Sequence, residues 1–474
     1  MFAAFSVRRR RGRAARLLAA VVTSGLVAGG VIAGASAAAA DEAPQHRGGA
    51  AATLNGLTTF DQAVLRVDGE RQQIPAGLFE MTVDGGGTLK TYCVDLHNPT
   101  QEKARYLETS WDQTSLGANR DAGRIRWILQ HSYPQVDDLV GLASDAGTGP
   151  LTAATAAAGT QVAIWRYSDN AQVQALDPAA EKLADWLEKE AGTAAEPRAS
   201  LSLEPGAVSG PAGTRIGPVT VRTDAGRVSV APPADAAASG IRITDAKGRP
   251  VVSAADGSRL YFDVPAKAAD GSAALTVQAT TSVPVGRAFT GVTKSQTQIL
   301  AGSSESTVSA TATATWATAG AIPALTAEKN CAEGTVDVTV ANKGDAAFGF
   351  ELMGVTYTVG AGGTRTVSVP VAEDRTYEFT ITGPGGLHRT FTGVLDCRTT
   401  GSAAVTMAGP QGPSPLSAGG TSAGPGTPVD GPDLAETGAS GATPMIAGIA
   451  LTMVVIGGAA VFLLRKKRTP GADD

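Results

Sequence analysis

Two side chains in this sequence could react with each other. Cys93 lies in Tyr92-Cys93-Val94-Asp95-Leu96, and Gln161 in Thr160-Gln161-Val162-Ala163-Ile164-Trp165. A thiolate held against a carboxamide carbon can attack it and expel ammonia. The product is an internal thioester, an electrophile stored in the fold. Three conditions follow: near-attack distance, where effective molarities reach roughly 10⁵ M or more, a donor on the glutamine carbonyl, and exclusion of water from the finished bond. Trp165 and Tyr92 are candidates for shielding, with ordinary core aromatics as the equal alternative. Asp95 and His97 could move protons, and a solvated strand end would explain both as well.

The elements that must position the pair come next. Leu78 to Val83 and Thr88 to Leu96 are strand-like runs joined by Asp84-Gly85-Gly86-Gly87, which reads as a β-hairpin. Strand alternation puts Tyr92, Val94 and Leu96 on one face and Thr91, Cys93 and Asp95 on the other. Cys93 is therefore expected to turn away from Tyr92, toward whatever layer carries Gln161. Ala63 to Val67 is a further strand, preceded by a small-residue lead-in over 41–52. Arg124 to His131 and Ala153 to Tyr167 have helical patterns, the second either continuous or restarting near Gly159. Pro178 to Glu190 is a third helix with Leu183, Trp186 and Leu187 on one face. Residues 56–197 thus form a mixed α/β unit, β-rich with added helices.

Downstream the pattern changes to short β-runs punctuated by Gly, Pro and Asp. Gly217 to Thr223, Arg227 to Val230, Ile241 to Thr244, Leu260 to Val264, Ala274 to Thr280 and Glu305 to Trp316 predict an Ig-sized β-sandwich stalk over 200–320. Val336 to Val340, Phe348 to Leu352, Val355 to Val359, Arg365 to Val369, Tyr377 to Ile381 and Arg389 to Leu395 predict a second, Ig-like sandwich over 325–398. Residues 399–433 are Gly, Ala, Ser, Thr and Pro, too poor in apolar residues for a core. Stretched near 3 Å per residue, they would span on the order of 100 Å.

Both ends carry addresses. Arg8 to Arg11, Arg13 and Arg16, then the apolar Leu17 to Ile32, then Ala38-Ala39-Ala40 before Asp41, read as a cleaved signal peptide over 1–40. At the other end, Leu434-Ala435-Glu436-Thr437-Gly438 precedes an uncharged apolar run, Pro444 to Leu464, which at 1.5 Å per residue reaches about 30 Å, one membrane thickness. A basic tail, 465–474, follows. This order resembles the cell-wall sorting signal of Gram-positive surface proteins, in the LAxTG variant of high-GC bacteria. The resemblance implies that sortase cleaves between Thr437 and Gly438 and joins Thr437 to peptidoglycan, so that 444–464 spans the membrane only in the precursor.

The formal net charge is −5, and the basic residues concentrate at the two ends. The exported part is acidic, and nothing in it argues for nucleic-acid binding. The four histidines are dispersed, so no metal constellation and no cofactor is expected. Cys331 and Cys397 bracket the last sandwich and are expected to pair as a disulfide, worth about 4 kcal/mol on the loop-entropy model. That leaves Cys93 without a sulfur partner in an oxidising compartment.

The (Tyr/Phe)-Cys-(aliphatic) strand and the downstream Thr-Gln-x-Ala-(Ile/Val)-Trp resemble the thioester domain of Gram-positive surface adhesins. Both motifs are intact here. The resemblance covers about 140 residues and implies a β-rich fold with helices, Cys93 and Gln161 as the cross-linked pair, and single-turnover reaction with amines, such as protein lysines, on a target surface. The expected protein is a wall-anchored adhesin rather than an enzyme. Two alternatives stand beside it: a secreted Cys-dependent acyltransferase or peptidase with His97 or His131 as base, and a passive wall-anchored coat protein.

Overall fold

The computed structural model describes residues 48–234, 236–384 and 387–399. The signal peptide, the linker beyond Thr399, the sorting motif, the apolar run 444–464 and the basic tail lie outside the described residues. Among the described residues no helix is long and apolar enough to cross a membrane.

Seven strands build the head: β1 (Ala51–Val67), β2 (Glu70–Val83), β3 (Thr88–Cys93), β4 (Arg105–Thr109), β5 (Val173–Ala175), β6 (Ala288–Gly291) and β7 (Gln298–Ser303). Their order is β2-β3-β7-β6-β4-β1-β5, and β1 also pairs with β2. Six strands therefore close into an antiparallel barrel, which leaves no free edge among them. One end of β1 serves β4 through Ala51–Thr53, and the other serves β5 through Ala63–Leu65. Register shifts after Leu54 and Leu57 bend the strand between these duties. Gly56 sits there at φ 129°, a conformation open to glycine. The strand expected at Ala63–Val67 thus begins much earlier and takes in the end of the expected lead-in.

Four helices of seven or more residues accompany the barrel among the described residues: α1 (Ala122–Gln130), α2 (Leu139–Asp145), α3 (Ala153–Ser168) and α4 (Pro178–Glu190). Thr152 and Thr155 cap α3 reciprocally. Asp177 caps α4, and Pro178 occupies its first turn. Every residue of α3 from Ala156 to Trp165 is buried. Its alanines permit this, because they let neighbours approach on all sides. The helix runs through Gly159 without a restart. A Cβ there would lie 2.5 Å from the Ala180 carbonyl oxygen, so the glycine is what lets α4 lie close.

The expected boundary of the first sandwich needs correction. Residues 288–303, placed in the stalk on sequence, supply β6 and β7 of the barrel, where β6 pairs with β4 and β7 with β3. The chain leaves the head after α4, builds most of the sandwich, returns to complete the barrel, and leaves again. Gln298 to Ala301 are all buried, and such a run looks the same whichever sheet claims it. The sandwich proper has a four-stranded sheet (Leu201–Glu204, Arg215–Thr223, Arg242–Thr244, Arg259–Asp263) and a five-stranded one that includes Gly271–Ser282 paired along its length with Glu305–Ala317. Leu275, Val277, Ala310 and Ala312 face its core in strict alternation. At the junction, Glu108 and Arg287 form a buried ion pair at 2.9 Å. Glu108 also accepts from the main-chain N–H groups of Ala50 and Ser200.

The last module has a three-stranded and a four-stranded sheet between Pro323 and Leu395. Each of the six runs named for it on sequence falls inside a strand. Its own core contains Val336, Val338, Phe348, Phe350, Phe379 and Phe391. Cys331 and Cys397 are joined, closing a sequence separation of 66.

Candidate functional site

The pairing of β2 with β3 stops at Phe79–Thr91, whereas the pairing of β7 with β3 runs on to Cys93, which faces Gln298. Val94 N–H still bonds to Thr297 O. By the alternation of an antiparallel ladder, the N–H and C=O of Cys93 then point to the side that β2 has vacated. The carboxamide of Gln161 takes the missing strand's place. Cys93 N–H donates to Gln161 Oε1 at 3.0 Å, and Gln161 Nε2 donates to Cys93 O at 2.9 Å. Both residues are fully buried.

Gln161, Trp165 and Asp169 recur every four residues, so they form one stripe of α3. This stripe runs along the chain from Cys93 to Leu96. Asp169 closes the helix and accepts from Leu96 N–H at 2.9 Å and from the Ser168 hydroxyl at 2.6 Å. Tyr92 leaves the strand on the other face. Its hydroxyl donates to Tyr133 O at 2.7 Å, and burial raises its pKa well above the ordinary value, against a smaller opposing effect of Thr160, the residue before Gln161. The expectation that Cys93 turns from Tyr92 toward a separate layer therefore needs amendment. Alternation holds, but a single helix reaches both residues, and Gln161 meets Cys93 at the strand edge.

The sulfur lies against its own chain, with Asp95 O at 3.1 Å and Asp95 N–H at 3.4 Å. Burial pushes the Cys93 thiol well above its ordinary pKa, and the carboxylates of Asp169 and Asp95 add to this. The Asp95 N–H and the Trp165 indole act in the opposite direction. Asp95 is fully buried, not a solvated strand end. It accepts from His97 N–H at 3.1 Å and from the Asn98 amide at 2.5 Å. Burial raises its pKa, and it raises that of Asp169 further still. Trp165 and Tyr92 are both buried. Among the described residues no hydrogen bond joins the sulfur to an imidazole. His97 is half-buried, and His131 is exposed and stacked on Trp127.

Several neighbours were not foreseen. Gln296 donates through Nε2 to Asp95 O. The last module also reaches the site's rim. Asn98 donates to Asp374 at 2.8 Å, and Thr297 to Asp396 at 2.6 Å. The Thr399 hydroxyl donates to Ser168 O at 3.1 Å. The module expected to be part of a stalk thus lies against the reactive loop. Carboxylate oxygens of Glu373, Asp374 and Asp396 come within 4.8 Å of one another. Lys294 lies 3.8 Å from Asp374, and the charge of Lys329 is felt at Asp396, so the cluster already has counter-charge.

Comparison with known proteins fits this geometry. Residues 90–193 match the family model described as Thioester domain, and both Cys93 and Gln161 fall within it. The chain therefore carries a thioester domain. Residues 319–394 match the model described as Bacterial phospholipase C, C-terminal domain. Among solved structures, the Bacillus anthracis TIE protein is similar at 14% identity and a TM-score of 0.27, covering 73% of this chain and 80% of its own. The thioester domain of the Enterococcus faecium TIE86 protein is similar at 14% identity and a TM-score of 0.27, covering 57% of this chain and 97% of its own. No match was found among curated proteins.

Proposed function

We propose that Cys93 and Gln161 condense to an internal thioester, which then links the protein once, as an amide, to an amine on a target surface. The observation that carries this is the grip of the Cys93 main chain on both ends of the Gln161 carboxamide. The N–H at Oε1 is a donor aimed where negative charge develops when sulfur attacks Cδ. In the forward step the thiol proton passes to the Asp169 carboxylate and Sγ attacks Cδ. The C–S bond forms, the C–N bond breaks, and Nε2 leaves as ammonia with the proton returned by Asp169. An incoming primary amine later attacks the same carbon. The new C–N bond forms, the C–S bond breaks, and sulfur takes the amine proton. The cycle does not repeat, so the protein is a covalent adhesin rather than an enzyme.

The order of LAETG motif, apolar run and basic tail supports display on a Gram-positive wall, with sortase as processing partner and peptidoglycan joined at Thr437. Intact mass spectrometry tests the central step. The wild type should weigh one ammonia less than its sequence, and Cys93→Ala should not. Methylamine should add stoichiometrically at Gln161 and restore a titratable thiol. A wild-type mass at the full sequence value would sink the reading.

A further inference from the structure

Among the described residues, six buried side-chain polar atoms have no hydrogen-bond partner. Four are oxygens; the two nitrogens are Trp165 Nε1 and Gln298 Nε2. A hydroxyl can turn to a new partner, but an indole or amide N–H can only donate, and a buried donor left idle is costly. Both idle donors belong to neighbours of Cys93. Trp165 lies one helical turn beyond Gln161, and its indole already favours the ionised form of the sulfur. Gln298 is directly opposite Cys93 in the β3–β7 ladder. The Val94 N–H to Thr297 O bond next to it makes Cys93–Gln298 the close, non-hydrogen-bonded kind of pair, with side chains on one face. Thr91, also on that face, anchors Gln298 by donating to its Oε1 at 3.0 Å, which leaves the NH₂ end uncommitted.

We propose that Trp165 Nε1 and Gln298 Nε2 form a two-donor cradle for the Cys93 sulfur, filled when that sulfur carries negative charge. The inference rests on the thioester reading above and adds two residues to it. Sulfur is anionic twice in that chemistry: before it attacks Gln161 Cδ, and again when an amine expels it. At both moments the surroundings oppose the charge. The carboxylates of Asp169 and Asp95 both disfavour the ionised sulfur, Tyr106 lies within electrostatic reach, and no cation is among the principal influences on it. Beside the Asp95 main-chain N–H, already 3.4 Å from the sulfur, these two side-chain donors are what the site holds against that opposition. Their idleness around a neutral thiol is then the ground-state counterpart of their use in the reaction.

The test uses Trp165→Phe and Gln298→Met in the full chain, each checked for a wild-type melting curve. Hydrogen bonds to a charged group are worth enough that each loss should slow methylamine capture on the order of tenfold or more. A second readout does not depend on the thioester. In a Gln161→Ala background Cys93 is the one free thiol, since the other two cysteines are joined. Its thiolate absorbance should then appear at higher pH in each donor variant than in Gln161→Ala alone. If either substitution unfolds the protein, site-specific benzothienylalanine at Trp165 removes the N–H at nearly constant shape. Equal thiol titrations in all proteins would overturn the cradle, whatever the capture assay shows. A shifted titration with no ammonia loss in the wild type would keep the cradle and overturn the thioester reading instead.

Discussion

At the scale of single residues, the site is a problem in proton placement. Cys93 must lose a proton and Nε2 must gain one, both inside a buried pocket. Asp169 is suited to carry it, since burial raises its affinity for a proton while Leu96 N–H and Ser168 hold it in place. Asp169→Asn preserves shape and the Leu96 contact but carries no proton. Thioester formation, followed as the time course of ammonia loss, should slow by about a hundredfold, at the lower end of general acid–base effects. Cys93 and Gln161 were legible in the sequence because a lone thiol and the two short motifs around the pair are rare features. Asp169 was not, because an aspartate after a helix reads as a cap, and it is one. Gln298 was hidden for another reason: nothing local says which sheet a buried β-run will join.

At the scale of elements, α3 does the positioning. It is held against α4 at Gly159, where no side chain fits. Gly159→Ala should force the two helices apart, costing about 1–3 kcal/mol as overpacking does. Because Gln161 lies two residues on, the same change should also lower the fraction of molecules lacking ammonia, measured by intact mass beside the melting curve. The helix itself was readable from its alanines. The function of its glycine was not, since a restart and a close crossing leave the same letter in the sequence. β3 and β2 were legible as a hairpin. That β2 should part from β3 at Thr91, two residues before Cys93, and so expose the backbone that grips Gln161, is a property of barrel closure and of no single strand.

At the scale of the whole molecule, the last module and the head share a rim of buried acids. The Asp396 carboxyl is pushed up to about 7, first by burial and then by Asp95. Its folded value exceeds the unfolded one, so its contribution to stability is complete below about pH 4 and is lost as pH rises through about 7. Asp95 and Asp169 are raised in the same sense. The melting temperature should therefore be higher near pH 5 than near pH 7.5, and Asp396→Asn should flatten part of that slope. Reducing the Cys331–Cys397 bond should destabilise this module by about 2–5 kcal/mol, seen as an earlier transition in reductant. The two cysteines were paired correctly on sequence because they bracket one core. The docking of their module was not visible, since Asn98, Asp374 and Asp396 look like ordinary loop polar residues until they meet.

The detour of the chain between α4 and β6 also fixes a timetable. Two of the six barrel strands, β6 and β7, are the last to be synthesised, after most of the sandwich. A ribosome or an export channel delivers Cys93 and Gln161 long before it delivers Gln298. Until residue 303 has emerged, the barrel has an open side beside Cys93, and the thiol cannot be sealed from water. The electrophile can then be armed only once residue 303 is out, about 140 residues after Gln161, and a fragment ending at residue 197 should fail to fold or to lose ammonia. A reactive group that matures only after its own motifs have passed is one that cannot bond to the machinery as it makes and exports them.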